Sequence, residues 1–345
     1  MAYAELRDEV RRGDFVSPAK TSVGSFLVDE WLPAVQASVR PGTHDHYSKM
    51  VHGYVVPRIG AQRLGELRPG QLNGFYASLL VDGRRQVGAA QPIGLTPKTV
   101  RHVHTLLHKA FNDGVRWGSL QRNPADRAEP PRPRTAEMKV WDIAQLRTFL
   151  DQVATDRLGP VWLLMATTGM RRGELIGLRW SDVDLDGGRI SVVQTHVLVN
   201  RQVIVSEPKT QKGRRSIALD AATVAVLRQF RRLQLEERLR YGELWTDTGL
   251  VVTHADGTAI NPRLFSSWFA QHARAAGLPP IRLHDLRHSY ATAALSAGIP
   301  AKVVSERLGH ANIAITLDTY SHVLPNMQEK AAEQVAQLIL GVSEK

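Results

Sequence analysis

Arginine, histidine, lysine and tyrosine recur through the second half of the chain in an order that suits chemistry at a phosphate. The segments are Thr168-Gly169-Met170-Arg171-Arg172-Gly173-Glu174-Leu175, then Pro208-Lys209-Thr210, His284-Asp285-Leu286-Arg287-His288, Leu308-Gly309-His310 and finally Tyr320. Guanidinium presents a planar fork of donors to phosphate oxygens, and imidazole moves protons near neutral pH. On a helix, His284 and Arg287 share a face, as do Arg171 and Glu174, so each pair can serve one pocket. An isolated Arg/Glu pair at that spacing is more often a solvated salt bridge, and only the whole ordered set points to a site.

Other chemistries lack their residues. No G-x-x-x-x-G-K-[ST] loop, G-x-G-x-x-G turn, H-E-x-x-H helix or G-x-S-x-G elbow occurs, and there is no cysteine for a thiolate, a disulfide or a cysteine nucleophile. His102, His104 and His108 lie close together, but no carboxylate or cysteine nearby completes a metal shell, so they read as surface or core-border histidines, like His44 and His46. The sequence therefore predicts no metal and no cofactor.

The elements that must position these groups follow from composition and pattern. At 345 residues the chain has room for about two domains. Its 44 Lys+Arg against 33 Asp+Glu give a net charge of +11, which points to a polyanionic partner. No apolar run reaches the roughly 18 residues of a membrane span, and the polar start lacks the apolar centre of a secretory signal, so an intracellular, soluble protein with no membrane partner is expected. Glu129-Pro130-Pro131-Arg132-Pro133-Arg134 forms a stiff basic boundary that neither helix nor central strand accepts. The expected layout is an N-terminal segment at 1–20, a helical domain at 21–129, a linker at 130–138, a second domain at 139–325 and a C-terminal helix and tail at 326–345. The part before residue 137 carries a net +7 and the remainder +4.

Helical spacing marks four helices in the first half: Thr21 to Ala37, one capped by Thr43, one begun by Pro69 and one opened by Thr96-Pro97. Val81 to Gly94 reads as a flexible loop. In the second half a capping box, Asp142 with Gln145, opens a helix, and Pro160 to Thr168 is another. Three strand-like runs follow, at Arg189–Val193, Val197–Val205 and Arg215–Leu219. A long helix behind Asp220 carries Val224, Leu227, Phe230 and Leu233 on one face, and helices opened by Asn261-Pro262, His284 and Pro300 complete the chain. The predicted fold is mainly α with one small antiparallel β-sheet.

The ordered Arg, Lys, His-x-x-Arg, Gly-His, Tyr series resembles that of the tyrosine recombinase (phage integrase) family, and the resemblance covers nearly the whole chain, from about Thr21 to Tyr320. That resemblance implies a helical core-binding domain joined to a tyrosine-recombinase catalytic domain, the two clamping duplex DNA. It casts Arg171 and Arg287 as catalytic arginines, Glu174 as the acidic member, Lys209 as the lysine on a hairpin, His284 and His310 as the histidines, and Tyr320 as the nucleophile. Lys212 competes with Lys209 for the lysine role, Arg172 competes with Arg171, and His288 stands behind the site. Arg84, Arg85, Lys98, Arg101, Lys109, Arg132, Arg134, Lys212, Arg214 and Arg215 are candidate contacts to the DNA backbone.

Residue chemistry agrees with those roles. Two guanidiniums can meet the charge that builds on a phosphodiester under attack. Nearby positive charge and a histidine can activate a phenol whose free pKa is about 10. The 3′-phosphotyrosine keeps the energy of the diester, so strands are cut and rejoined without ATP or a divalent ion. The implied function is a site-specific recombinase that integrates or excises a phage or mobile element. A topoisomerase-like relaxase is disfavoured by the core-binding half, and a catalytically silent DNA-binding regulator by the complete residue set. Implied partners are double-stranded DNA at attachment or core sites, three further copies of the chain in a homotetramer, and an excisionase or host DNA-bending factor. An arm-binding domain is not expected, and Met327, Ala331, Val335 and Leu338 mark a terminal helix that would dock on a neighbouring subunit.

Overall fold

Prolines shape the helices of the first half. Helix α1 covers residues 23–36 and α2 residues 41–59, and each contains one widened π turn, Phe26–Trp31 and Val51–Val55. Each wide turn lies just before an internal proline, Pro33 or Pro57. Proline has no N–H to bond and its ring crowds the carbonyl four residues back, so the wide turn absorbs the mismatch without breaking the helix. Helix α2 opens at Pro41 behind an extended Arg40, not at Thr43 as its hydroxyl suggested. Proline's preset φ suits the first helical position, where an N–H would have no partner. Helices α3 (Pro69–Asp82) and α4 (Pro97–Arg116) begin where the sequence indicates, and the Thr96 hydroxyl accepts the Thr99 N–H at 3.3 Å.

The computed structural model describes residues 21–84, 93–133, 138–200, 202–207, 213–320 and 327–340. The chain divides into two units, Met1–Ala136 and Glu137–Lys345. Among the described residues no helix is long and apolar enough to cross a membrane.

In the first unit Phe26, Leu27, Trp31, Val51, Leu72, Tyr76, Leu107 and Phe111 form the core. A buried carboxylate ties α1 to α4: Asp113 accepts from the Trp31 indole at 2.9 Å and Lys109 at 3.1 Å, and pairs with Arg116. The histidines are engaged locally. His44 bonds the Leu32 carbonyl, His104 the Tyr76 hydroxyl, and His108 the Asp126 carboxylate, each near 3 Å. Of the loop expected at Val81 to Gly94, α3 takes the first two residues and Arg84 pairs with Ile93, while residues 85–92 lie outside the described set.

The second unit is built round stacked aromatics. Trp162 lies against Phe265 with ring centroids 4.3 Å apart, and Trp141, Phe149 and Phe269 close the cluster. Helices α5 (Ile143–Gln152, with the Asp142/Gln145 capping box), α6 (Gly159–Thr168) and α7 (Arg172–Ile176) precede the strands. Strands β1 (Val183–Asp184) and β2 (Arg189–Val192) begin a three-stranded antiparallel sheet ordered β1-β2-β5, while β3 (Thr195–Val199) and β4 (Gln202–Ser206) form a separate hairpin and β5 is Arg215–Ala218. The single expected sheet is therefore two. The run Val197–Val205 folds back at Asn200, whose φ of 47° is tolerated by a short amide side chain.

Helix α8 (Ala221–Tyr241) is capped by Asp220, but Leu233 is exposed rather than buried. Positions 227, 230, 234 and 237 share the inward face, so Gln234 and Glu237 occupy it. Gln234 accepts from the Trp180 indole and donates to Thr253, and Glu237 pairs with Arg157. Helices α9 (Pro262–Ala275), α10 (Leu283–Ser296), α11 (Ala301–Leu308), α12 (Ile313–Tyr320) and α13 (Met327–Leu340) follow.

Asp113→Ala strips the buried Trp31 indole of its acceptor and should cost the first unit about 2 kcal/mol. Hydrogen exchange checks this: amides of α1 and α4 should exchange roughly thirtyfold faster, with those of the second unit unchanged.

Candidate active site

A helix end organises the site. The last turn of α11 closes at Gly309, in the left-handed region at φ 66°, where the N–H groups of Gly309 and His310 bond the carbonyls of Glu306 and Ser305. The next three carbonyls, of Arg307, Leu308 and Gly309, are left for other donors. Three guanidiniums take them. Arg215 Nε donates to Arg307 at 2.6 Å, Arg287 Nη2 to Leu308 at 2.6 Å, and Arg171 Nη2 to Gly309 at 3.2 Å.

Each arginine is delivered by a different element. Arg171 stands between the left-handed Gly169 that ends α6 and the start of α7. A side chain at Gly169 would meet the Tyr290 ring and Leu308 within 3 Å, so only glycine permits this turn, and its carbonyl accepts Arg287 Nη1 at 2.7 Å. Arg287 lies on α10 and is almost wholly buried; Arg215 opens β5 and is buried too.

One carboxylate joins two of them. Glu174 accepts from Arg171 Nη1 at 2.7 Å and from its backbone N–H at 2.9 Å, and from Arg215 Nη2 at 2.8 Å. Burial raises its pKa, but the hydrogen bonds and charge of Arg215, then the charge of Arg171, overcome that and hold it at about 2. Three guanidiniums against one carboxylate leave two positive charges at the centre.

Titratable groups surround this charge. Tyr320 ends α12 with no exposed surface, packed among Ala291, Leu295, Val304 and Leu308, and its hydroxyl is 2.7 Å from His288 Nδ1. Burial pushes the phenol up to about 12, partly offset by the charge of Arg287. His310 Nδ1 bonds the Thr316 hydroxyl at 2.8 Å, which joins the α11 turn to α12. Burial first, then the arginine charges, pull His310 down to about 4. Desolvation, then His288 and Arg287, do the same for His284, whose ring stands edge-on to His288 at 5.2 Å. His288 is also lowered, by burial.

The structure thus brings Arg171, Glu174, His284, Arg287, His310 and Tyr320 into one electrostatic neighbourhood. Lys209 and Lys212 lie outside the described residues, as do Arg85 and Arg134. Arg84, Lys98, Arg101 and Arg132 are exposed, Arg214 is exposed and pairs with Glu207, and Lys109 pairs with Asp113. Arg215, expected among surface phosphate contacts, has a side chain only 6% exposed and serves Glu174 instead. Nothing in a basic turn announces that one arginine points inward. His288, placed behind the site by sequence, bonds the phenol directly; its spacing of four from His284 was the available signal.

A family profile, the Phage integrase family, matches residues 140–327. A tyrosine recombinase XerC-like protein of Caldanaerobacter subterraneus subsp. tengcongensis is 27% identical over 97% of this chain and 88% of its own length. The ICEBs1 integrase of Bacillus subtilis is 28% identical over 71% of this chain and 67% of its own. Among solved structures, the Tn1549 transposon integrase in complex with transposon right end DNA covers 92% of this chain and 100% of its own, at TM-score 0.74 and 18% identity. A lambda integrase dimer bound to a core site has a TM-score of 0.60 at 15% identity, covering 86% and 97%. At such identities the likeness to both structures is one of fold.

Glu174→Ala should destabilise the second unit by about 3 kcal/mol or more, because Arg171 and the buried Arg215 lose their shared counter-charge. The folded pKa lies below the ordinary 4.5, so this stabilisation is full above that value and is lost as pH falls through about 2. Melting temperatures at pH 7 and pH 3 check it: the wild type should lose more on acidification than Glu174→Gln.

Proposed function

The chain belongs to the phage integrase family of tyrosine recombinases, and from that premise we propose that Tyr320 is its nucleophile, Arg171 and Arg287 its phosphate clamp, and His288 the acceptor of the phenol proton. The substrate is double-stranded DNA. The Tyr320 oxygen attacks the scissile phosphorus, the bond from phosphorus to the 5′-oxygen breaks, and a 3′-phosphotyrosine forms. The phenol proton passes to His288 Nδ1, whose 2.7 Å contact with the hydroxyl is the observation that carries the assignment. The departing 5′-oxygen takes a proton from Lys209 or Lys212, and the 5′-hydroxyl of a second strand reverses the reaction to rejoin the DNA.

Electrostatics supports this division. A diester carries one negative charge, and more develops on its non-bridging oxygens under attack. A buried site with two uncompensated positive charges therefore holds the transition state more tightly than the ground state. Glu174 orients Arg171 and does not transfer protons, since it stays ionised through the neutral range. His310 and His284 are neutral there and can donate a ring N–H to a phosphate oxygen. Tyr320 has no exposed surface, so the end of α12 must shift before the phenol reaches DNA.

Residues 21–129 serve as the core-binding part and 139–325 as the catalytic part. Four copies act together on two duplexes, with the terminal helix docked on a neighbour, in the cytoplasm beside the nucleoid.

Nicked duplex incubated with the protein in chelator should yield a covalent 3′ adduct that Tyr320→Phe abolishes. Recombinant products from two duplexes would set it apart from a simple relaxase, and no adduct would overturn the assignment. His288 must be neutral to accept a proton, and burial holds it below the usual 6.5, so the cleavage rate should hold through the neutral range and fall on the acid side below pH 6.5. In His288→Ala the rate should drop roughly a hundredfold, and that acid limb should vanish.

A further inference from the structure

Arg172 takes no part in the chemistry above, although it directly follows Arg171. Its Nη1 donates to the Ser266 hydroxyl at 2.8 Å and to the Pro262 carbonyl at 3.3 Å, one turn apart at the start of α9. Both partners are neutral, and among the described residues no carboxylate pairs with it. Arg172 is exposed to the cleft, and the protein packed beside it lowers its pKa.

Arg172 lines an open cleft of about 620 Å³ with Arg171, Ser266, Phe269, Arg282 and His284. The other cations of that cleft have a carboxylate partner or are neutral, Arg171 sharing Glu174 with Arg215. Arg171 is paired with Glu174, Arg282 with Asp285 at 2.6 Å, and His284 is uncharged at neutral pH. Among the described residues Arg172 is the charged group of this cleft without a carboxylate partner, and two hydrogen bonds fix its side chain. A cation so held, with no carboxylate partner, is free to meet an anion that arrives with its own oxygen acceptors.

The geometry points to a second phosphate subsite, in which Arg172 receives the phosphodiester next to the one held by Arg171 and Arg287. This deepens the recombinase assignment and rests on it. Phosphates repeat along a strand at every step, so a cation one residue from the catalytic arginine, in the same cleft, meets backbone and not a base edge. Such a contact carries no sequence information; it fixes which phosphate lies beside Tyr320. Arg172 is thus a positioning residue for strand register.

The test uses the full chain and a duplex carrying the position mapped by the Tyr320 adduct, with one phosphate at a time replaced by neutral methylphosphonate. Arg172→Gln should raise Kd roughly tenfold and reduce the slope of log K against log salt by about one. One methylphosphonate beside the scissile position should cost the wild type a similar factor and cost Arg172→Gln nothing more. Arg172→Lys, which keeps the charge, should restore the salt slope, as a folding defect would not. A wild-type slope in Arg172→Gln, or penalties that add at every phosphate, would overturn the subsite. Absence of any Tyr320-dependent adduct from the wild type would instead remove the recombinase assignment, and the salt slope on intact duplex would still decide whether Arg172 holds a phosphate.

Discussion

Everything at the centre depends on three backbone carbonyls at the C-terminus of α11. A helix end leaves carbonyls unbonded and carries partial negative charge, which water usually satisfies. Here Arg307, Leu308 and Gly309 offer theirs to Arg215, Arg287 and Arg171, so guanidiniums from β5, α10 and the α6–α7 turn are gathered at one point. The left-handed Gly309 makes this possible by directing the cap bonds to Ser305 and Glu306. Carbonyls position the cations without cancelling them. Had three carboxylates done the same work, the site would be rigid and electrically neutral, with nothing left for a phosphate.

Among the described residues Glu174 is the carboxylate bonded to these arginines, and its placement explains why one is enough. It lies between Arg171 and Arg215, the pair whose mutual repulsion would otherwise open the α7–β5 side of the site. Arg287 has no carboxylate and relies on Gly169 and Leu308 carbonyls, which leaves its charge directed at Tyr320. The centre is balanced enough to fold and unbalanced enough to bind an anion.

Much of this was legible in the chain. Helix starts with proline at the first position, the Asp142/Gln145 box and the ordered series from Arg171 to Tyr320 are local signals, and local signals survive folding. The hairpin at Asn200 was missed because β-branched residues run through both of its strands and the reversal needs only one left-handed residue. Leu233 was misplaced because apolarity counted for more than the heptad spacing that seats Gln234 and Glu237. Arg215 and His288 were harder, since whether a cation faces solvent or a carboxylate 41 positions away is settled by tertiary packing. Arg172 was legible as a neighbour of the pocket but not as its unmatched charge, because the pairing of Arg282 and Arg171 had first to be seen.

The phenol of Tyr320 is buried among Ala291, Leu295, Val304 and Leu308, its hydroxyl within hydrogen-bond distance of the His288 ring. A group held like that is inert toward the countless phosphodiesters of a chromosome that brush past the protein. With Tyr320 as the nucleophile proposed above, breakage would be restricted to encounters strong enough to unpack the final turn of α12. The discrimination lies in the work needed to release it, and no base need be read for that safeguard to operate.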